Sequence, residues 1–318
     1  MSDAIPRPTW SRRPATIGLA LGSGVARGWA HIGVLRALER EGIQPDIVCG
    51  TSIGAVVGGG YIAGKLDEVE AWARAMTQRR LFRFLDFGIG SGGLLQGNKL
   101  AAELNYKLGE MEIQHLGRRF VAVTTELATG HEIWLRQGRM VEAMRASYAL
   151  PGIFSPVKIE GRWLIDGALV NPVPVSTCRA FGARLVIAVN LNADIFGMGT
   201  VRKGDRLESD DELEAENADA RSLLAGARLS NRLVLRQMLG SSKGAPGLTT
   251  VMFGAFNIVQ DRLTRSRLAG DPPDVLVNPQ VAHIGLLDFH RAEESIKLGE
   301  RAMRDAMPMI QEALKVLN

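Results

Sequence analysis

Cysteine is nearly absent from this 318-residue chain, which carries only Cys49 and Cys178. With no CxxC pair and no histidines at ligand spacing, a disulfide scaffold and a structural zinc site are excluded, and a reducing, cytoplasmic location is expected. Neither sign of charge dominates. The 38 basic and 34 acidic residues leave +4, too small an excess for a surface that tracks phosphates, so nucleic acid is not an expected partner. Long apolar runs are scarce too. Ile47 to Gly64 is 18 residues without a charge, but six are glycine and Thr51 and Ser52 lie inside it. A membrane span needs about 20 predominantly apolar residues, so this stretch reads as a buried turn followed by a small-residue helix. Ser11-Arg12-Arg13 before Ile17-Gly18-Leu19-Ala20-Leu21 superficially resembles a twin-arginine leader, and Arg27 ends that apolar run too early.

Glycine is what the chain has in plenty: 36 residues, about 11% where about 7% is usual. They cluster, which marks backbone that must come close to something. Apolar residues make up 46% of the chain, enough for a continuous core.

After a tail over residues 1–15, Thr16 to Leu21 reads as a buried strand that runs into the loop Gly22-Ser23-Gly24-Val25-Ala26-Arg27-Gly28. Ile32, Leu35 and Leu38 recur at helical spacing, and Gly42 closes that helix. Asp46 to Cys49 is a second strand, and Ile53 onward is again helical. This β-loop-α-β-turn-α order predicts parallel strands joined by right-handed crossovers, an α/β fold with a mostly parallel central sheet flanked by helices. Further strands are expected at Phe120 to Thr125, Glu132 to Leu135 and Leu185 to Asn190, and a hairpin around Glu160-Gly161 that delivers Asp166-Gly167 at a strand end. Residues 16–318 are read as one domain. Within it, Asp205 to Asp219 carries eight acidic residues against one arginine, which suits a solvated, mobile excursion near 200–220. Met252, Phe256, Val259 and Leu263, with Arg262, Arg265 and Arg267 nearby, predict an amphipathic helix near 249–268 that packs on the core or meets a membrane. A last helix presents Ile296, Met303, Met307, Ile310, Leu314 and Leu317 on one face, with Pro308 kinking or restarting it.

Gly50-Thr51-Ser52-Ile53-Gly54 is a GxSxG sequence between an apolar strand and a small-residue helix, the setting of a nucleophile elbow. A sharp turn there puts the serine in a strained conformation that bulky neighbours would obstruct, and the following helix aims its positive end at the serine oxygen. The loop Gly22 to Gly28 lacks the third glycine of a dinucleotide-binding fingerprint, where Arg27 stands, and lacks the Lys-Ser/Thr of a P-loop. What remains is a run of amides at a helix start, suited to hold an oxyanion. Asp166-Gly167-Ala168 follows a strand directly, so the carboxylate projects from the sheet edge.

These three ordered motifs resemble the patatin-like phospholipases, specifically small bacterial members similar to the catalytic domain of neuropathy target esterase. The resemblance runs from about Thr16 to the C-terminal region and includes Ile165 to Pro174 and Asp271-Pro272-Pro273-Asp274. It implies a Ser52–Asp166 dyad at strand ends, hydrolysis of lipid acyl esters and neither metal nor cofactor. It also implies an oxyanion loop of Ser23, Gly24, Val25 and Arg27, the last matching the family's basic residue. Where the family has an uninterrupted glycine run, Ser23 and Val25 stand here; such a loop tolerates side chains where φ stays negative, and Val25 is expected to keep it so. Two other readings stay open: a Ser-His-Asp esterase completed by His283 or His290, and a non-catalytic lipid-binding or regulatory protein on the same fold. A lipid acyl ester as substrate implies peripheral contact with a membrane, for which Met252, Phe253 and Phe256 with the three arginines are the candidate residues. Head group and oligomeric state are not encoded in any of these motifs.

Overall fold

The computed structural model describes residues 17–77, 80, 93–95, 97–193 and 248–317. The N-terminal tail and the acidic segment of the sequence reading fall outside them. By compactness the chain divides into one unit of Met1–Ile195 with Leu263–Asn318 and another of Phe196–Arg262. The elements described here belong to the first unit, save the N-terminal part of one helix.

The chain opens with strand β1 (Ile17–Leu21), a 3-10 turn (Val25–Trp29) and helix α1 (Ala30–Arg40). Strand β2 (Ile47–Thr51), α2 (Ile53–Ile62), α3 (Leu66–Arg74), β3 (Gly93–Leu95) and α4 (Asn98–Leu108) follow. Next come β4 (Arg119–Glu126), β5 (Glu132–Leu135), α5 (Met140–Ser147), β6 (Gly152–Phe154) and the hairpin of β7 (Val157–Ile159) and β8 (Arg162–Asp166). The chain finishes with α6 (Val175–Ala180), β9 (Leu185–Val189), α7 (Leu248–Gly270), β10 (Val275–Val277) and α8 (Ala292–Leu317).

The main sheet runs β10-β9-β1-β2-β4-β8-β7, with β5 also paired to β4. The first five of these pair in parallel, whereas β5 and β8 join β4 antiparallel. Glu160 and Gly161 both take positive φ, 48° and 82°, which gives the β7–β8 hairpin the tight two-residue turn its sequence suggests. Burial explains why the parallel strands read as unbroken apolar runs. Leu19 and Leu21 of β1 and Val48 of β2 share a core with Ile32 and Leu35 of α1, Val57 of α2 and Met303 of α8. The alternate residues Ala20, Ile47 and Cys49 share a second core with Val175 and Cys178 of α6. The sheet is therefore covered on both faces, as the β-loop-α-β order requires.

Three details refine the sequence reading. β2 continues past Cys49 to Thr51, because its ladder with β4 runs on to Thr51 opposite Val123. α8 runs on as one helix with Pro308 inside it, so of the two expected effects of that proline the restart does not occur. On α7 the predicted apolar face is mixed in burial: Met252 is 43% and Val259 49% exposed, Phe256 and Leu263 are half-buried, and the buried positions are Gln260, Asp261 and Thr264. Apolar spacing identifies a helix without deciding which side packs.

α1 and α8 cross with their backbones nearly touching. A Cβ on Gly33 would lie 1.8 Å from the Ile296 carbonyl oxygen, and one on Gly299 1.9 Å from that of Ala30. Overpacking typically costs about 1–3 kcal/mol, and here the obstacle is backbone that cannot rotate away. Gly299→Ala is expected to destabilise the fold by about 3 kcal/mol, measured as a lowered urea midpoint; an unchanged midpoint would refute the close crossing.

Candidate active site

Three strand ends meet at the carboxyl edge of the parallel strands. β2 ends at Thr51, α2 starts at Ile53, and Ser52 between them sits at φ 58°, ψ −122°. Such a conformation costs about 1–3 kcal/mol and persists only where neighbours over-determine it. Here the Ser52 amide donates to Ser147 Oγ at 2.9 Å, and Ser147 Oγ in turn donates to the Val123 carbonyl at 2.7 Å. Thr51 Oγ1 donates to the Asn171 carbonyl at 2.8 Å. The flanking glycines are required for space: a Cβ on Gly50 would lie 2.5 Å from Ala55, and one on Gly54 2.2 Å from the Leu21 carbonyl oxygen. Ile53 begins α2, whose positive end faces the serine.

β8 pairs antiparallel with β4 and sets Asp166 opposite Thr124, while β2 sets Thr51 opposite Val123. Strand β4 thus brings Ser52 and Asp166 to the same level from different partners. Ser52 Oγ donates to Asp166 Oδ2 at 2.7 Å, and the Ala168 amide donates to Oδ1 at 2.8 Å. Thr125 Oγ1 holds the Asp166 carbonyl at 2.8 Å. Gly167 is pressed on β4, where a Cβ would come within 2.2 Å of the Val123 carbonyl oxygen. Ser52 and Asp166 are 6% and 2% exposed. Burial pushes the Asp166 carboxyl up to about 7, against the downward pull of the Ala168 and Ser52 hydrogen bonds.

None of the five histidines bonds to either group. His283 Nε2 pairs with Glu294 Oε1 at 2.8 Å and is exposed, as are His290, His115 and His131. The buried His31 is held on the Gly22 carbonyl. Because the serine hydroxyl contacts the carboxylate directly, no imidazole stands between them, and the triad with His283 or His290 is not formed.

The loop after β1 is anchored almost residue by residue. The amide of Gly22 donates to Val189 O, that of Ser23 to Pro172 O, that of Ala26 to Leu286 O and that of Arg27 to Gly24 O. The amides of Ser23 and Arg27 are engaged, and the buried Arg27 guanidinium donates to the carbonyls of Ile284 and Ala282 at 2.8 and 3.4 Å. Arg27 therefore ties the loop to the segment before α8, with its own carbonyl held by Ser295 Oγ at 3.0 Å. Among the described residues the amides of Gly24 and Val25 keep no partner within the protein. Val25 also overturns an expectation, for its φ is +50°. With neighbours fixed on both sides and Gly24 packed on Leu191, the chain reaches its 3-10 turn only through a left-handed residue.

Sequence reasoning missed Ser147, which carries no motif, and His31. The latter had a signal: with Val34, Leu35 and Leu38 it lies on one helical stripe, a polar residue on a face that packs inward. Among the described residues, no three His, Cys, Asp or Glu side chains are grouped to hold a metal ion.

Residues 19–179 match the patatin-like phospholipase family. The chain is 34% identical to an uncharacterized NTE family protein of Mycobacterium tuberculosis, over 92% of this chain and 91% of that one. It is 28% identical to Lysophospholipase NTE1 of Pyricularia oryzae, over 93% of this chain and 19% of that protein. VipD from Legionella pneumophila, known from a crystal structure, aligns with a TM-score of 0.44 at 12% identity, over 94% of this chain and 67% of that one. The family match defines the class as a hydrolase of lipid esters, on an α/β fold with a mostly parallel sheet covered on both faces. Within that class the chain belongs to the patatin-like phospholipase family.

The raised carboxyl predicts a pH-dependent cost. An Asp at its ordinary 3.8 ionises on unfolding, whereas in the fold Asp166 holds its proton up to about 7. Between these values the folded state binds more protons, so this group's contribution to stability falls as pH rises from about 4 to 7, by about 1.4 kcal/mol per unit. Asp166→Asn cannot ionise. It is expected to be more stable than wild type at pH 8 by a few kcal/mol, with the difference shrinking at pH 5; parallel urea curves at both pH values would contradict the buried carboxylate.

Proposed function

We propose that the protein hydrolyses acyl esters of phospholipids or lysophospholipids with Ser52 as nucleophile and Asp166 as its base. The observation that carries this reading is the direct 2.7 Å hydrogen bond from Ser52 Oγ to a buried Asp166 carboxylate. Ionised Asp166 takes the hydroxyl proton as Oγ attacks the ester carbonyl carbon. The carbonyl oxygen becomes an oxyanion, received by the Gly24 and Val25 amides and favoured by the positive end of α2. The intermediate collapses, Asp166 passes its proton to the departing alcohol oxygen, and an acyl-Ser52 ester remains. Water, deprotonated by Asp166, attacks that ester; a second collapse releases the fatty acid and returns the proton to Ser52. A carboxylate with its usual pKa of about 3.9 is a poor base for a hydroxyl. Burial strengthens this one while Ala168 and Thr125 fix its position.

The lipid substrate is supported by the family and by the relative named a lysophospholipase. Peripheral membrane contact is supported by α7, where Val251, Met252, Ile258 and Val259 are about half exposed and Arg262 and Arg265 are exposed beside them. Phe256 is half-buried, the side chain of Phe253 lies outside the described residues, and Arg267 pairs with Glu132 at 3.1 Å. Among the described residues no helix is long and apolar enough to cross a membrane.

Ser52→Ala and Asp166→Asn are each expected to lower esterase turnover by at least about a thousandfold, with the double variant little worse than either. His283→Ala and His290→Ala keep most activity. A histidine variant as inactive as Asp166→Asn would restore the triad. Labelling of Ser52 by a fluorophosphonate probe tests the non-catalytic reading. A pH profile alone does not decide, since an Asp166 limb near 7 and a histidine limb near 6.5 overlap.

For the membrane contact, Met252→Ser/Ile258→Ser/Val259→Ser is expected to lower activity on anionic vesicles at least tenfold while sparing a soluble short-chain ester. Added salt should mimic part of that loss by screening the arginines. Equal losses on both substrates would remove this helix from the lipid contact.

A further inference from the structure

We infer that His31 is a positioning residue for the oxyanion loop: it fixes the Gly22–Ser23 peptide from which the Gly24 and Val25 amides are presented. The inference rests on the proposed role of those two amides. His31 is the second residue of α1 and is fully buried. Its Nε2 lies 2.7 Å from the Gly22 carbonyl oxygen. A carbonyl only accepts, so Nε2 carries the proton and donates, while Nδ1 has no partner among the described residues. Burial keeps the ring neutral by lowering its pKa to about 4. One tautomer therefore persists through the working pH range, and the ring acts as a fixed donor with no titration of its own near 7.

The peptide it holds is the one that matters for the loop. On its other side the Ser23 amide donates to Pro172 O at 2.9 Å, in the run of chain that follows Asp166. The Gly22 oxygen also abuts the first turn of α2, at 2.8 Å from where a Gly54 Cβ would stand. This one peptide plane thus touches α1, the Asp166 segment and the elbow helix. Removing the donor leaves a buried carbonyl unsatisfied beside the elbow, and rotation of the peptide to relieve it breaks the Ser23–Pro172 bond. The next two amides then lose their aim. Neither His31 ring nitrogen contacts Ser52 or Asp166, so its effect passes through the loop backbone.

Gln and Asn separate this role from simple core filling. A glutamine places its amide nitrogen where Nε2 stands, whereas an asparagine reaches only as far as Nδ1. Both are polar and close in volume. With a soluble short-chain ester, His31→Asn is expected to lower kcat about a hundredfold, the scale of losing one oxyanion donor, with KM within threefold of wild type. His31→Gln is expected to recover to within tenfold of wild type. Inactivation by a fluorophosphonate, whose addition also develops charge in the oxyanion hole, should follow kcat in both. The limb near pH 7 should stay in place. Equal kcat in the two folded variants, or a loss confined to KM, would overturn the role. Ser52→Ala run alongside separates the failures: activity surviving there refutes the nucleophile itself, whereas an inactive Ser52→Ala beside a fully active His31→Asn refutes only the positioning.

Discussion

A buried carboxyl group held against a serine hydroxyl sets the terms for the rest of this molecule. Desolvation makes Asp166 a stronger base than a carboxylate in water, and it also makes any unbonded oxygen costly. Both oxygens are accordingly satisfied, one by Ser52 and one by the Ala168 amide. Its main-chain carbonyl is held by Thr125, and its amide by Ala149 O. Ser52 is fixed from behind by Ser147. The common support is β4, which pairs with β2 and β8 and receives Ser147 on the Val123 carbonyl. A shift of β4 by one residue would separate the pair and turn its side chains to the opposite face.

Backbone strain is concentrated in the same place. Among the described residues three non-glycine residues have positive φ, and Val25 and Ser52 are two of them; the third, Glu160, belongs to a hairpin turn. For a β-branched residue that conformation is a true outlier. The loop tolerates it because anchors come from several elements: Val189 at the end of β9, Pro172 after β8, Leu286 before α8 and His31 on α1. The C-terminal segment therefore serves the site although it contributes no candidate reacting group. Arg27, Ser295 and the close α1–α8 crossing bind it to the loop and its helix.

Some pieces of this protein follow from local chemistry and can be read along the chain. Glycines at 50 and 54 around a serine, an apolar strand before it and a small-residue helix after it admit few conformations, so the sharp strand-to-helix turn at Ser52 was legible, as was the parallel sheet implied by β-loop-α-β order. Asp166 was legible as a carboxylate at a strand end because Glu160-Gly161 forces a hairpin that aims β8 at the edge. Which of these pieces meet depends on contacts between distant parts of the chain. The 2.7 Å contact between Ser52 and Asp166 depends on the register of two strands on β4, a long-range pairing that no local pattern specifies. The conformation of the glycine loop depends on Pro172, Leu286 and Ile284, distant residues that occupy the donors of Ser23, Ala26 and Arg27 while Val25 takes the left-handed region. Likewise, spacing marked α7 as a helix and left its buried side undecided. Hydrogen-bond partners and burial are properties of the packed chain, and only packing selects them.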